Sequence, residues 1–204
     1  MLEPTYPLRT ARLDLRPYET SDLDHLRAMH GREDVVRYLY WEPMGEDELM
    51  ASLEKKLGRR AWTGEGTGFN LLGVVRETGA VVGDVAFWLS SEEHRTGEVG
   101  FVLKPEFTGH GYATEMAAEM LRIGFDELGL HRVVGRLDAR NAGSAAVLER
   151  LGMRREALLV DNEWVKGEWT SELAYALLAD EWATSPVSRS SASRTDPGAS
   201  YQGR

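Results

Sequence analysis

Gly97-Glu-Val-Gly-Phe-Val-Leu103-Lys-Pro105-Glu-Phe-Thr-Gly109-His-Gly111-Tyr-Ala113-Thr-Glu-Met116 is the stretch on which the reading of this chain turns. Its first seven residues read as a strand, and Pro105 stops it. Two glycines, at 109 and 111, then punctuate a turn. From Ala113 onward Met116, Ala117, Met120, Leu121, Gly124, Phe125 and Leu128 recur at helical spacing, and Gly129 supplies the stop. A strand that runs through a glycine turn straight into a helix leaves the first-turn N–H groups unpaired and aimed outward. Such an end binds phosphate. The turn lacks the Gly-Lys-Ser/Thr ending of an NTPase loop, and GxGxxG is incomplete, so neither nucleotide fingerprint applies.

Working outward, Arg12-Leu-Asp-Leu-Arg16 alternates as a strand, and Thr20-Ser-Asp22 caps a helix carrying Leu23, Leu26 and Met29. A second helix is expected from about Glu46 to Arg60. Strands follow over Phe69–Arg76 and Val81–Leu89, joined by a turn at Glu77–Ala80. Beyond the central helix come a strand from His131 to Asp138 and a short helix from Ala142 to Leu151, stopped by Gly152. Two further strands, about Glu156–Asp161 and Trp169–Leu178, are joined at Lys166-Gly167. The order is an antiparallel meander followed by a strand–helix–strand crossover. It predicts an α/β (α+β) domain with a mixed, mostly antiparallel sheet of about seven strands flanked by about four helices.

Composition narrows the function classes. With 42% hydrophobic and 28% charged residues the chain can bury a core, and with no cysteine it carries neither disulfides nor thiolate chemistry. Five scattered histidines without a spaced pair give no metal site. A net charge of -9 opposes nucleic acid and favours a cationic partner such as an amine, polyamine or basic peptide. No secretory leader or membrane-length apolar run is present, so a soluble, cytoplasmic protein without membrane contact is expected. Residues 1–183 read as one domain. The stretch 184–204, rich in serine and proline, reads as a disordered tail irrelevant to the chemistry.

Thr108-Gly-His-Gly111-Tyr-Ala113 resembles motif A of the GNAT acetyltransferases, Q/R-x-x-G-x-G/A, with Thr108 in place of Gln or Arg. Over about residues 8–178 the chain is similar to the RimJ/RimL-type branch, which acetylates ribosomal-protein alanines. The marks are Leu8–Pro17, Glu98-Val-Gly-Phe101, Asn141-Ala-Gly-Ser144, Leu151-Gly-Met153 and Glu156-Ala157. The resemblance implies a GNAT-like fold and acetyl-CoA as co-substrate, without a metal. CoA pyrophosphate is then expected on the backbone of Gly109, His110, Gly111, Tyr112, Ala113 and Thr114. Pantetheine is expected along Gly100, Phe101, Val102 and Leu103, with Asn141 bonding its amide and Ser144 nearby. The plain alternative for Asn141 is a helix cap.

Transfer needs a deprotonated amine and a proton for the leaving thiolate. The tyrosine that many relatives place before the Leu-Gly segment is here Leu148, and the RimL-like branch uses the serine of Asn-x-x-Ser, here Ser144. The base is Glu163, Glu98 or a water relay; a solvated surface carboxylate is the plain alternative for both residues. Tyr38-Leu-Tyr40-Trp41 falls where this fold builds its acceptor pocket. Trp41, Trp62, Trp88, Trp164 and Trp169 otherwise read as packing. The expected function is transfer of acetyl to a primary amine, on a protein N-terminus or a small molecule. A CoA-binding sensor or partner module without turnover is the alternative. Homodimers are common among such proteins.

Overall fold

The computed structural model describes residues 2–187. In chain order the elements are β1 (Leu8–Arg9), β2 (Leu13–Pro17), α1 (Leu23–His30), α2 (Glu33–Val36), α3 (Glu46–Leu57), β3 (Arg60–Ala61), β4 (Gly68–Val75), β5 (Val81–Ser91) and β6 (Thr96–Leu103). There follow α4 (Tyr112–Arg122), a π-helical turn (Ile123–Glu127), β7 (Arg132–Asp138), α5 (Ala142–Arg150), β8 (Arg154–Val165), β9 (Glu168–Leu178) and α6 (Ala179–Thr184). The strands form one sheet in the order β1-β2-β4-β5-β6-β7-β9-β8, with β3 also on β4. Every pairing is antiparallel except that of β6 with β7.

The period-two pattern divides the sheet into two buried faces. Phe69, Leu71, Val85, Phe87 and Val99 meet α4, whose Met116, Ala117, Met120 and Leu121 follow the helical repeat read from sequence. Contact there is close: a Cβ on Gly124 would lie 2.6 Å from Phe87 Cζ. On the other face Leu72 and Val81 pack with Tyr18, Leu26, Met29, Leu49 and Leu53 beneath α1 and α3.

Two strands and two α-helices beyond the expected set are present among the described residues, all too short to show a hydrophobic period: β1, β3, α2 and α6. The central helix differs as well. It is α-helical only to Arg122, and the π turn then turns Phe125 onto the ring of Trp182, centroids 5.7 Å apart. The expected strand Glu156–Asp161 is the first half of β8, which continues to Val165 past a register shift. Trp164 and Trp169 pack edge to face on each other at the exposed β8–β9 tip, whereas Trp62 is in the core. Of the expected tail, 188–204 lie outside the described residues. Thr184 ends α6, Ser185 is buried, and Pro186 and Val187 line a large cleft, so the first residues of the expected tail belong to the folded domain. No described helix is long and apolar enough to cross a membrane.

Candidate active site

The parallel pairing of β6 and β7 lasts three residues, from Thr96–Arg132 to Glu98–Val134. Beyond Glu98, β6 stays with β5 while β7 stays with β9, so the two strands part and open the sheet. The edge of β6 from Gly100 to Leu103 has no strand partner on the β7 side, which is where an extended amide-bearing chain can add main-chain hydrogen bonds.

Two cavities meet at this gap. The larger, about 1160 Å³, is lined by Phe101, Val102, Leu103, the Thr108–Gly111 turn, Ala113 and Thr114 and by one side of α5. The smaller, about 370 Å³, lies between the sheet and α3. Tyr38, Leu39, Phe101, Val102, Asn141 and Ser144 line both, so these six stand at the junction.

The turn before α4 holds Gly109 and Gly111 at φ 78° and 80°, left-handed backbone that side-chain-bearing residues resist. No side chain caps the first turn of α4. Thr114 Oγ1 is buried there without a hydrogen-bond partner and lines the cleft, so the helix end offers N–H groups and a hydroxyl to an anion. Arg150 on α5 lines the same cleft and has no ion pair among the described residues. These groups fit a phosphate-bearing ligand. Tyr112 does not line the cleft: Arg12 lies 4.5 Å over its ring, and the ring stacks with His110.

A brace that sequence reading missed holds this turn. Arg12 donates to His110 O at 2.9 Å and to Glu115 Oε2 at 2.7 Å, and Thr10 Oγ1 donates to Glu115 Oε1 at 2.6 Å. Burial would raise the Glu115 carboxyl, but the Thr10 hydroxyl and the amide and guanidinium of Arg12 hold it below its ordinary range. The signal was within the Leu8–Pro17 segment, where Arg12 reads only as the start of a strand.

Asn141 caps α5, its Oδ1 accepting from Ser144 N at 3.0 Å, which leaves its amide nitrogen as a donor at the junction. The Ser144 hydroxyl stands beside it. Leu148 fills the space over Gly135, where a Cβ would come within 2.7 Å of its side chain. Glu98, at the point of divergence, lines the smaller cavity with Arg136 and Glu172. Burial pushes the Glu98 carboxyl up, opposed by Arg136 at 3.9 Å and reinforced by the charge of Glu172. Glu172 accepts from Tyr40 OH at 2.7 Å and pairs with Arg136 at 3.3 Å. Glu163 is not brought here: it is exposed on β8 opposite Thr170 and lines neither cavity. The register shift in β8 and the left-handed Asp161 decide where Glu163 points, and neither is visible in the sequence. Glu172, unremarkable within β9, takes the buried position instead.

The family model described as "Acetyltransferase (GNAT) domain" matches residues 12–154. An uncharacterized N-acetyltransferase of Bacillus subtilis, YnaD, is 30% identical over 175 residues, covering 86% of this chain and 98% of the relative. The crystal structure of a GNAT-family acetyltransferase from Bacillus anthracis superposes with a TM-score of 0.77 at 29% identity, covering 85% of this chain and 99% of that one. The fold also matches a spermidine N-acetyltransferase from Vibrio cholerae, solved with CoA and spermine. There the TM-score is 0.71 at 22% identity, over 84% of this chain and 98% of the other.

Proposed function

Since the chain belongs to the GNAT family of acetyl-CoA-dependent acyltransferases, we propose that it acetylates the primary amine of a protein N-terminus or a small molecule, in the manner of the RimJ/RimL-type branch. The observation that carries this reading is the meeting of two cavities at Asn141 and Ser144, one beside an uncapped helix end and one beside buried carboxylates. Acetyl-CoA supplies the activated thioester. The N–H groups from Gly109 to Thr114, with Thr114 Oγ1, hold its pyrophosphate. The open edge of β6 over Gly100–Leu103 and the Asn141 amide nitrogen orient the pantetheine arm.

On the acceptor side Glu98 accepts a proton from the incoming ammonium. Its position favours this, because burial keeps the carboxyl basic while Arg136 keeps it available as an anion. The amine nitrogen then attacks the carbonyl carbon and a C–N bond forms; Glu98 passes its first proton to solvent, the nitrogen loses its second proton to solvent, and the C–S bond breaks. Ser144 Oγ–H protonates the departing sulfur and recovers its proton through solvent. Glu163 has no part in this route. Replacing Ser144 by alanine tests it: turnover falls about tenfold or more while acetyl-CoA affinity stays within about twofold. Unchanged turnover removes Ser144 from the mechanism.

A further inference from the structure

The wall of the smaller cavity formed by the end of α1, the Trp41 loop and β4 holds polar groups that the protein leaves without hydrogen bonds. His30, 3% exposed, has both ring nitrogens without a hydrogen bond; its Nε2 stands 3.8 Å from Asp84 Oδ2, an ion-pair contact only, and its Nδ1 has no partner. Trp41 stacks on it at 5.7 Å, and its indole N–H is likewise buried without an acceptor. Asn70, 5% exposed, also lines this wall, and its side-chain amide makes no hydrogen bond among the described residues. Buried polar groups are nearly always paired, so the unpaired Trp41 N–H and His30 Nδ1, beside the unbonded Asn70 amide that lines the cavity, point to a partner from outside the chain.

What they offer sets the partner's chemistry. An indole N–H only donates, a carboxamide NH2 donates, and a histidine always has at least one N–H to give. Asp84, the one carboxylate on this wall, is already engaged by Tyr18 OH and Lys56 Nζ, each at 2.7 Å. Lys55 and Arg59 line the same end and make no ion pair among the described residues. Donors and cations at this end face carboxylates at the other, where Glu98 and Glu172 lie. Between the two runs the cross-strand row Asn70–Ala86–Gly100, a floor of small side chains two strand spacings wide, or ~10 Å.

Resting on the acetyl-transfer reading above, we infer that the acceptor is an amine carrying a carboxylate at the far end of a short apolar spacer. The ammonium sits with Glu98 and Glu172, and the carboxylate is received by Asn70, Trp41 and His30 with Lys55 and Arg59 at the rim. A polyamine brings a second ammonium to the donor-lined end and is the poorer substrate.

Three probes of matched chain length test this: ε-aminocaproate, hexylamine and hexamethylenediamine, assayed for acetyl-CoA-dependent turnover by the intact protein. Aminocaproate is expected to exceed both others in kcat/KM by about tenfold or more, the factor that one hydrogen bond to a charged group supplies. In the variant carrying Lys55→Gln and Arg59→Gln, both exposed and harmless to folding, that ratio falls by at least about fivefold. Equal or better turnover of the diamine, or a ratio unmoved by the double substitution, overturns the inference and leaves acetyl transfer standing. Acetylation of other amines but of none of these three does the same. If no amine at all is acetylated, the transfer reading fails and this inference falls with it.

Discussion

Removing the ammonium of Lys56 should reverse the pH dependence of stability that Asp84 now gives the fold. Asp84 is only 4% exposed and Lys56 13%, with Nζ 2.7 Å from the carboxylate. Burial alone would raise the Asp84 carboxyl, but Lys56, helped by His30, holds it below its ordinary range. A carboxyl lowered in the folded state contributes stability above its unfolded pKa, and that contribution is lost as pH falls through the folded value. In Lys56→Met the opposing cation is gone and burial governs. The carboxyl then rises, so stability is retained at low pH and lost as pH climbs through the new folded value. Breaking one partner of a buried pair costs about 3–5 kcal/mol, and the cost near pH 8 should fall in that range. Near pH 5 it should shrink by about half or more, as the carboxyl takes a proton while Tyr18 still donates to it. Urea unfolding of both proteins at the two pH values measures this. Adding Asp84→Asn removes the stranded charge, so the double variant should lose less than the sum of the two singles by about 1 kcal/mol or more. A Lys56→Met penalty under about 1 kcal/mol, or one that does not change with pH, refutes the reasoning.

The remaining expectations concern the cleft. Glu98→Gln should lower kcat about a hundredfold or more with little change in acetyl-CoA affinity. The wild-type rate should rise with pH through a pKa above the usual carboxylate value, because only the ionised form accepts a proton; in a steady-state pH profile the variant loses that acidic limb. Gly109→Ala places a side chain at φ 78°, straining the turn by about 1 kcal/mol. Because the strain re-aims the N–H groups of the α4 turn, titration with acetyl-CoA should show about tenfold weaker binding against only a small fall in Tm.

The central strand, turn and helix were legible because each carries its own local rule: alternation, a glycine turn and a helical repeat. That repeat continued to Leu128 in sequence, yet the α-helix ends at Arg122, since Gly124 against Phe87 and Phe125 against Trp182 are tertiary demands. The motif residues Gly109, Gly111, Asn141 and Ser144 could be placed because they act through the turn and helix starts on which they lie. The Arg12–Glu115 brace and the Tyr40–Glu172 pair join residues 103 and 132 positions apart, and only strand order brings them together. Asp84, Asn70 and His30 read as ordinary strand and helix residues. Their meaning comes from Asn70 and Asp84 sharing one sheet face and from His30, at the end of α1, lining the same cavity.

The most direct test of the central claim is the melting temperature of the intact protein with and without excess acetyl-CoA, with ATP and NAD as controls. At a hundredfold excess over Kd, binding to the folded state adds roughly 2.7 kcal/mol, about 5–10 °C for a chain of this size. The account predicts that rise with acetyl-CoA alone. No shift at millimolar acetyl-CoA, or an equal shift with ATP, contradicts it.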